Sequence, residues 1–189
     1  MTEMRIIAGT SGGIPIKVPK NATRPTTDRV RESLFSSLGT LINEANVLDL
    51  FAGSGSLGLE SLSRGAKSAL FVDESRAACQ VIEENLKKTR LSGTVRTAKV
   101  DRFLTSISPT AQFDLIFADP PYAKDEAKSE ILTRFLNHEK LPEILRKGGS
   151  IVLETCSRIP LPEMKNWITL HEKTFGETRI TRLSHPEQD

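Results

Sequence analysis

The apolar and polar positions of this chain change period repeatedly, and those changes predict its elements. Asn46-Val47-Leu48-Asp49-Leu50-Phe51 is a short apolar run that ends at glycines, and Leu57 to Arg64 then keeps helical spacing as far as Gly65. That sequence of signals is strand, glycine-rich turn, helix. Ser68 to Val72 is a second strand ending in Asp73, and Ala77, Ala78, Val81, Ile82 and Leu86 mark the inner face of the helix after it. Thr94 to Ala98 predicts a third strand, Asp101 to Ile107 a short helix, and Phe113 to Ala118 a fourth strand. Helices over Lys128 to Asn137 and Leu141 to Arg146 follow, with Gly148-Gly149 as a stop before a fifth strand, Ser150 to Thr155. Strands that alternate with helices imply crossover connections, hence an α/β fold whose parallel sheet is covered by helices on both faces. The end departs from that rule. Trp167 to Lys173 and Thr178 to Leu183 both read as strands, and the short connection containing Gly176 suits a hairpin, so the sheet finishes antiparallel with seven strands in all.

Residues 1–41 do not join the alternation. Arg5 to Gly9 and Ile14 to Val18 flank Gly12-Gly13 and predict a hairpin. Asp28 to Leu41 places Val30, Leu34, Leu38 and Leu41 on one helical face, behind Pro25 and two threonines suited to capping. The predicted organisation is therefore one domain: an arm with a docking helix over 1–41, a catalytic core over 42–184 and a tail over 185–189. A chain of 189 residues is long enough for a single real core.

Charge adds a partner. The net charge is only +2, but residues 1–40 hold Arg5, Lys17, Lys20, Arg24, Arg29 and Arg31 against three acids, whereas the remainder is slightly acidic. A basic arm on a near-neutral body points to a polyanion. Cys79 and Cys156 have neither metal-ligand nor disulfide spacing, and His138, His171 and His185 are scattered, so no metal is expected. Without a secretory segment or an apolar run of membrane length, the expected location is cytoplasmic.

Two motifs carry the chemistry. In "DLFAGSGSLG" the glycines Gly53, Gly55 and Gly58 let the backbone turn tightly and approach a ligand, and the following helix offers free N–H groups. Asp73 stands about twenty residues beyond the first glycine, where a ribose-binding acid belongs. A nucleoside-bearing cofactor is expected there. The second motif is "DPPY", Asp119 to Tyr122, at the tip of the fourth strand. Asp119 is an acceptor for one hydrogen of an amine, and a carbonyl of the rigid Pro120-Pro121 turn is an acceptor for the other. Gripping both hydrogens of an exocyclic base amine favours a pyramidal nitrogen with its lone pair directed outward. The carboxylate then stabilises the positive charge that grows on nitrogen as it attacks a methyl group. Tyr122 supplies a face for a base that has left its stack.

With both motifs in place the chain resembles the class I, S-adenosylmethionine-dependent methyltransferases, and within them the RsmD family, bacterial enzymes that methylate the N2 amine of a guanine in 16S ribosomal RNA. The resemblance runs through "RIIAG", "RPTTDRVRESLF", "LDLFAGSGSLGLESLSRGA", "FVDESRAA", "FDLIFADPPY" and "KTFGETRITRL". Phe175 stands where the family commonly has tyrosine, and Arg102 where a small residue is usual. The resemblance implies a Rossmann-like, mostly parallel seven-stranded sheet and a 16S rRNA partner, as a small subunit or its assembly intermediate. It also implies that Asp49, Phe51, Gly53, Ser54 and Gly55 line the methionine end of the cofactor. Asp73 would bind the ribose with Glu74 beside it, Asp101 would lie by the adenine, and Asp119, Pro120 and Tyr122 would hold the guanine. Arg5, Lys17, Lys20 and Arg24 are the expected RNA contacts; Arg29 and Arg31 face the cleft or RNA, or form the polar side of an amphipathic helix. Three alternatives differ in kind: an NAD-binding oxidoreductase, a DNA adenine N6-methyltransferase, and a non-catalytic RNA-binding assembly factor. Which guanine is modified and the oligomeric state are left open.

Overall fold

A computed structural model describes residues 4–19, 27–108, 110–120 and 126–186. The arm contains β1 (Met4–Arg5) and β2 (Pro15–Ile16), and then α1 (Asp28–Leu38). The body runs β3 (Asn46–Leu50), α2 (Ser56–Ser63), β4 (Ser68–Asp73), α3 (Arg76–Thr89), β5 (Thr94–Thr97), α4 (Val100–Ser106) and β6 (Phe113–Ala118). It continues through α5 (Glu126–Leu136), α6 (Lys140–Ile144), β7 (Leu145–Cys156), β8 (Ile168–Phe175) and β9 (Thr178–Ser184). The sheet has the order β5-β4-β3-β6-β7-β9-β8. Every pairing from β5 to β7 is parallel, and β9 inserts antiparallel between β7 and β8. The fold is Rossmann-like, as expected.

Period-two burial divides the core between two faces. Val47, Phe71, Leu115, Phe117 and Val152 point to one side, where they meet α1, α2, α3 and the arm. Leu48, Leu50, Val72, Ile116, Ala118, Ile151 and Leu153 point to the other, against α4, α5, α6 and Trp167. Strands buried on both faces read as continuous apolar runs, which is why β3, β6 and β7 stand out in the sequence. Phe71 is fully buried under α2, and a Cβ on Gly58 would run into its ring. The third glycine of the cluster is thus a packing glycine, letting the helix sit close on the strand.

Several boundaries moved. The helix predicted to reach Leu41 stops at Leu38, because Gly39 adopts φ 51° and the chain tightens into a 3-10 turn over Gly39–Ile42. Leu41 is therefore 42% exposed, and Ile42 takes the buried place. Gly148-Gly149 does not precede the fifth strand but lies within it. β7 begins at Leu145 in place of the predicted helix end, and the glycines form an irregularity between the Phe113–Leu145 and Leu115–Ser150 pairs. A Cβ on Gly149 would sit 2.9 Å from the Asp114 carbonyl, so only glycine lets the neighbouring backbone pass. The predicted arm hairpin is confirmed but short: β1 and β2 share two residue pairs, extended by Ile6 N–H to the Ile14 carbonyl at 3.0 Å.

Candidate active site

In this strand order the chain leaves β3 in one direction, through β4 and β5, and returns on its other side at β6. Such a reversal opens a crevice beyond the carboxyl ends of the strands. Here it is a cleft of about 1270 Å³, and Asp49, Phe51, Gly53, Ser54, Asp73, Glu74, Asp101 and Asp119 line it. Gly55 is not at the surface of the cleft. With φ 74° it is the N-cap of α2, and a Cβ there would press on Ile82 and Phe71 at 3.1 and 3.2 Å. Pro120 is buried immediately after Asp119, and Tyr122 lies outside the described residues.

The glycine loop reverses direction through three left-handed residues, Phe51 (φ 57°), Gly53 (φ 54°) and Gly55. A left-handed phenylalanine is an uncommon and strained backbone state. It turns the Phe51 ring against Phe135 of α5, edge to face at 6.0 Å. The loop is then tied to the next strand. Gly53 donates its N–H to one oxygen of Asp73 at 2.9 Å, and Ser75 donates to the other at 2.8 Å. Asp73 therefore stands rigidly at the end of β4, and each oxygen keeps capacity to accept from a hydroxyl group.

Asp49 lies beneath the loop and is 3% exposed. It accepts the Gly58 N–H at 2.9 Å. Burial nevertheless pushes its carboxyl up to about 8; the Gly58 N–H opposes that rise, and the charges of Asp119 and Asp73 add to it. The charges of Asp73 and Asp119 give the cleft a negative interior that suits a cationic ligand, while Asp49 holds its proton at neutral pH and joins them only as pH nears 8.

The remaining expected residues divide. Asp101, on α4, pairs with Arg134 of α5 at 2.9 Å across the rim of the cleft. Arg29 is exposed, Arg5 is exposed and lies 3.6 Å from Asp28, and Lys17 pairs with Glu84 at 2.6 Å. Lys20 and Arg24 lie outside the described residues. Arg31 is fully buried. Its guanidinium donates to the Arg5 carbonyl at 2.6 Å and to Asp28 at 2.7 Å, and comes within 3.8 Å of Glu60. A side chain so placed fastens the arm to the body and is out of reach of a phosphate.

Two functional supports were missed in the sequence. Glu60, fully buried on α2, accepts from Ile7 N–H at 2.7 Å, Ala8 N–H at 3.1 Å and Arg64 at 2.6 Å. The one acid within the otherwise uncharged Ser56–Ser63 helix was its signal. Asn85, fully buried on α3, accepts from Lys17 N–H at 2.8 Å. It donates to the Lys17 carbonyl at 2.9 Å and the Ser54 carbonyl at 3.1 Å. Nothing in its sequence neighbourhood distinguishes it from a solvated helix residue.

The chain has known relatives. The profile of a family described as "Conserved hypothetical protein 95" matches residues 4–184. The chain is 37% identical to the "Putative rRNA methyltransferase YlbH" of Bacillus subtilis, over 94% of this chain and 96% of that one. It is 40% identical to the "Ribosomal RNA small subunit methyltransferase D" of Escherichia coli strain K12, over 93% and 86%. Among solved structures, the "Putative methyltransferase yhhF from Escherichia coli" superposes with a TM-score of 0.80 at 33% identity, covering 97% of this chain and 98% of that one.

Proposed function

The chain belongs to the RsmD family of ribosomal RNA small subunit methyltransferases, and from that premise we propose that it transfers a methyl group from S-adenosylmethionine to the N2 amine of a guanine in 16S rRNA. The observation that carries the proposal is the meeting of the glycine loop, Asp73 and Asp119 in one cleft. The chain's residues fit the cofactor. Asp73, held by two backbone N–H groups, is an acceptor for ribose hydroxyls; Gly53 has open space where a side chain would stand; and the negative interior matches a sulfonium and an ammonium. When bound, the cofactor supplies an electrophilic methyl group on sulfur.

The protein's part is binding, orientation and charge. Ser54 and Phe51 border the methionine side, Glu74 stands beside the ribose position, and Asp101 with Arg134 closes the adenine end. Asp119 accepts one hydrogen of the guanine amine, and a carbonyl of the Pro120 turn accepts the other. Both contacts strengthen as nitrogen gains positive charge, so they favour the transition state over the bound substrate. Arg5, Lys17 and Arg29 of the described arm, with Lys20 and Arg24, supply the phosphate contacts that hold RNA in register. The partner is the small subunit or an assembly intermediate of it, the reaction is cytoplasmic, and the whole chain acts as one methyltransferase unit. Among the described residues no helix is long and apolar enough to cross a membrane.

The test is methyl transfer from labelled cofactor to unmodified small subunits, followed by nucleoside digestion. Label in N2-methylguanosine is expected. With Asp119→Ala, transfer should be abolished while S-adenosylhomocysteine binds within a few-fold of wild type. Label in adenosine, or near-normal turnover by Asp119→Ala, refutes the assignment.

A further inference from the structure

The cofactor cleft has a wall that the Rossmann-like body does not provide. Met4, Lys17, Val18 and Pro19, all from the arm, line it opposite the α4 side. Strand pairing does not hold that wall in place, because β1 and β2 form a separate two-stranded sheet that is not paired with the main one. Arg31 and Glu60 fasten the arm near its first strand, and contact with α3, which begins just after Asp73, holds Lys17 at the cleft. We infer that Asn85 is a positioning residue that fastens the arm as the closing wall of the cofactor cleft and sets the glycine loop against it. This inference rests on the proposed binding of S-adenosylmethionine in that cleft.

The geometry is specific. The Asn85 amide engages one arm residue twice, as an acceptor from Lys17 N–H and a donor to the Lys17 carbonyl, in the manner of a neighbouring strand. Its other N–H reaches the Ser54 carbonyl, in the middle of the glycine loop. Both amide hydrogens and the carbonyl oxygen are therefore used, and the group is fully buried, where water cannot replace a lost partner. The Lys17–Glu84 ion pair beside it is exposed at both ends, so it contributes little to holding the joint. Another tether of the arm to α3, from the Ser11 hydroxyl to the Thr89 carbonyl at 2.8 Å, lies one helical turn further from the cleft. Among the described residues, Asn85 alone hydrogen-bonds from α3 to both the arm and the glycine loop.

If the arm is a wall of the pocket, filling the pocket must quiet the arm. Hydrogen exchange of the wild-type protein with and without S-adenosylhomocysteine tests this without any substitution. Slowing is expected at the glycine loop and after Asp73, and equally at Lys17 and Val18, by at least ten-fold. In Asn85→Ala, checked for native melting, calorimetry should give at least ten-fold weaker S-adenosylhomocysteine binding. The KM for S-adenosylmethionine should rise in step, while kcat at saturation stays within about three-fold. Protection confined to the glycine loop and Asp73, or a folded variant with unchanged affinity, overturns the role of Asn85 and leaves the proposed function standing. Failure of the wild-type protein to bind S-adenosylhomocysteine removes both.

Discussion

Replacing Asp49 by asparagine should make the protein more stable at neutral pH, and the structure indicates by how much. The Asp49 carboxyl is buried and titrates near 8, against 3.8 for an exposed aspartate. Below about pH 4 both folded and unfolded chains carry the proton and nothing is lost. Between about 4 and 8 the unfolded chain releases it and the folded chain does not, so stability falls as pH rises; above 8 both are ionised and the loss is complete. At about 1.4 kcal/mol per unit, the penalty at pH 7 is on the order of 4 kcal/mol. Asparagine has the shape of the neutral acid and keeps an oxygen for the Gly58 N–H, so it escapes the penalty while preserving the loop. Urea unfolding of both proteins from pH 4 to pH 9 should give curves that coincide at the acid end and diverge towards pH 8. The same charge that costs stability serves the ligand. A cationic cofactor favours the ionised carboxylate, so wild-type affinity should rise with pH up to about 8, with proton release visible in buffers of different ionisation enthalpy. Parallel stability curves for wild type and Asp49→Asn would refute the reasoning, because then no charge is being suppressed by the fold.

Asp73→Ala should lower affinity for S-adenosylhomocysteine roughly ten-fold to a hundred-fold, the worth of about 1.5 to 3 kcal/mol for a carboxylate bonded to hydroxyls, as read by calorimetry. Glu60→Ala should destabilise the fold by about 3 to 5 kcal/mol in chemical denaturation, since it strips Ile7 N–H, Ala8 N–H and Arg64 of their buried acceptor and removes one of the two carboxylates beside buried Arg31, and the arm should become the first segment open to limited proteolysis. Neutralising Arg5, Lys17, Lys20 and Arg24 together should weaken binding to small subunits and flatten its salt dependence by up to about four counterions' worth of slope; an unchanged slope would move the RNA surface to the body.

The α/β class, the order of elements and the positions of Asp73 and Asp119 at strand ends were legible along the chain. Strands buried on both faces are uninterrupted apolar runs, helices keep a period near 3.6, and the acids stand where each run stops. Local steric rules also foretold the glycine turn. The misread boundaries have the same kind of cause. Gly148-Gly149 looks like a helix stop by composition, yet serves a close approach to Asp114 that becomes visible only when β6 lies alongside.

What the tertiary structure alone decided is the function of the polar groups. Arg29 and Arg31 are nearly indistinguishable in sequence, two arginines two positions apart on one helix. Folding exposes one and buries the other against Arg5, Asp28 and Glu60, so one is available to a phosphate and the other is a fastening. Asn85 and Lys17 are 68 positions apart, and no periodicity relates them. The raised Asp49 carboxyl likewise comes first from burial and then from the charges of Asp119 and Asp73, which other strands deliver. Backbone conformation answers to neighbours within a few residues, so it is written locally. The strength of a hydrogen bond or a charge depends on which groups surround it in space and on how far water is excluded, and those are properties of the packed chain.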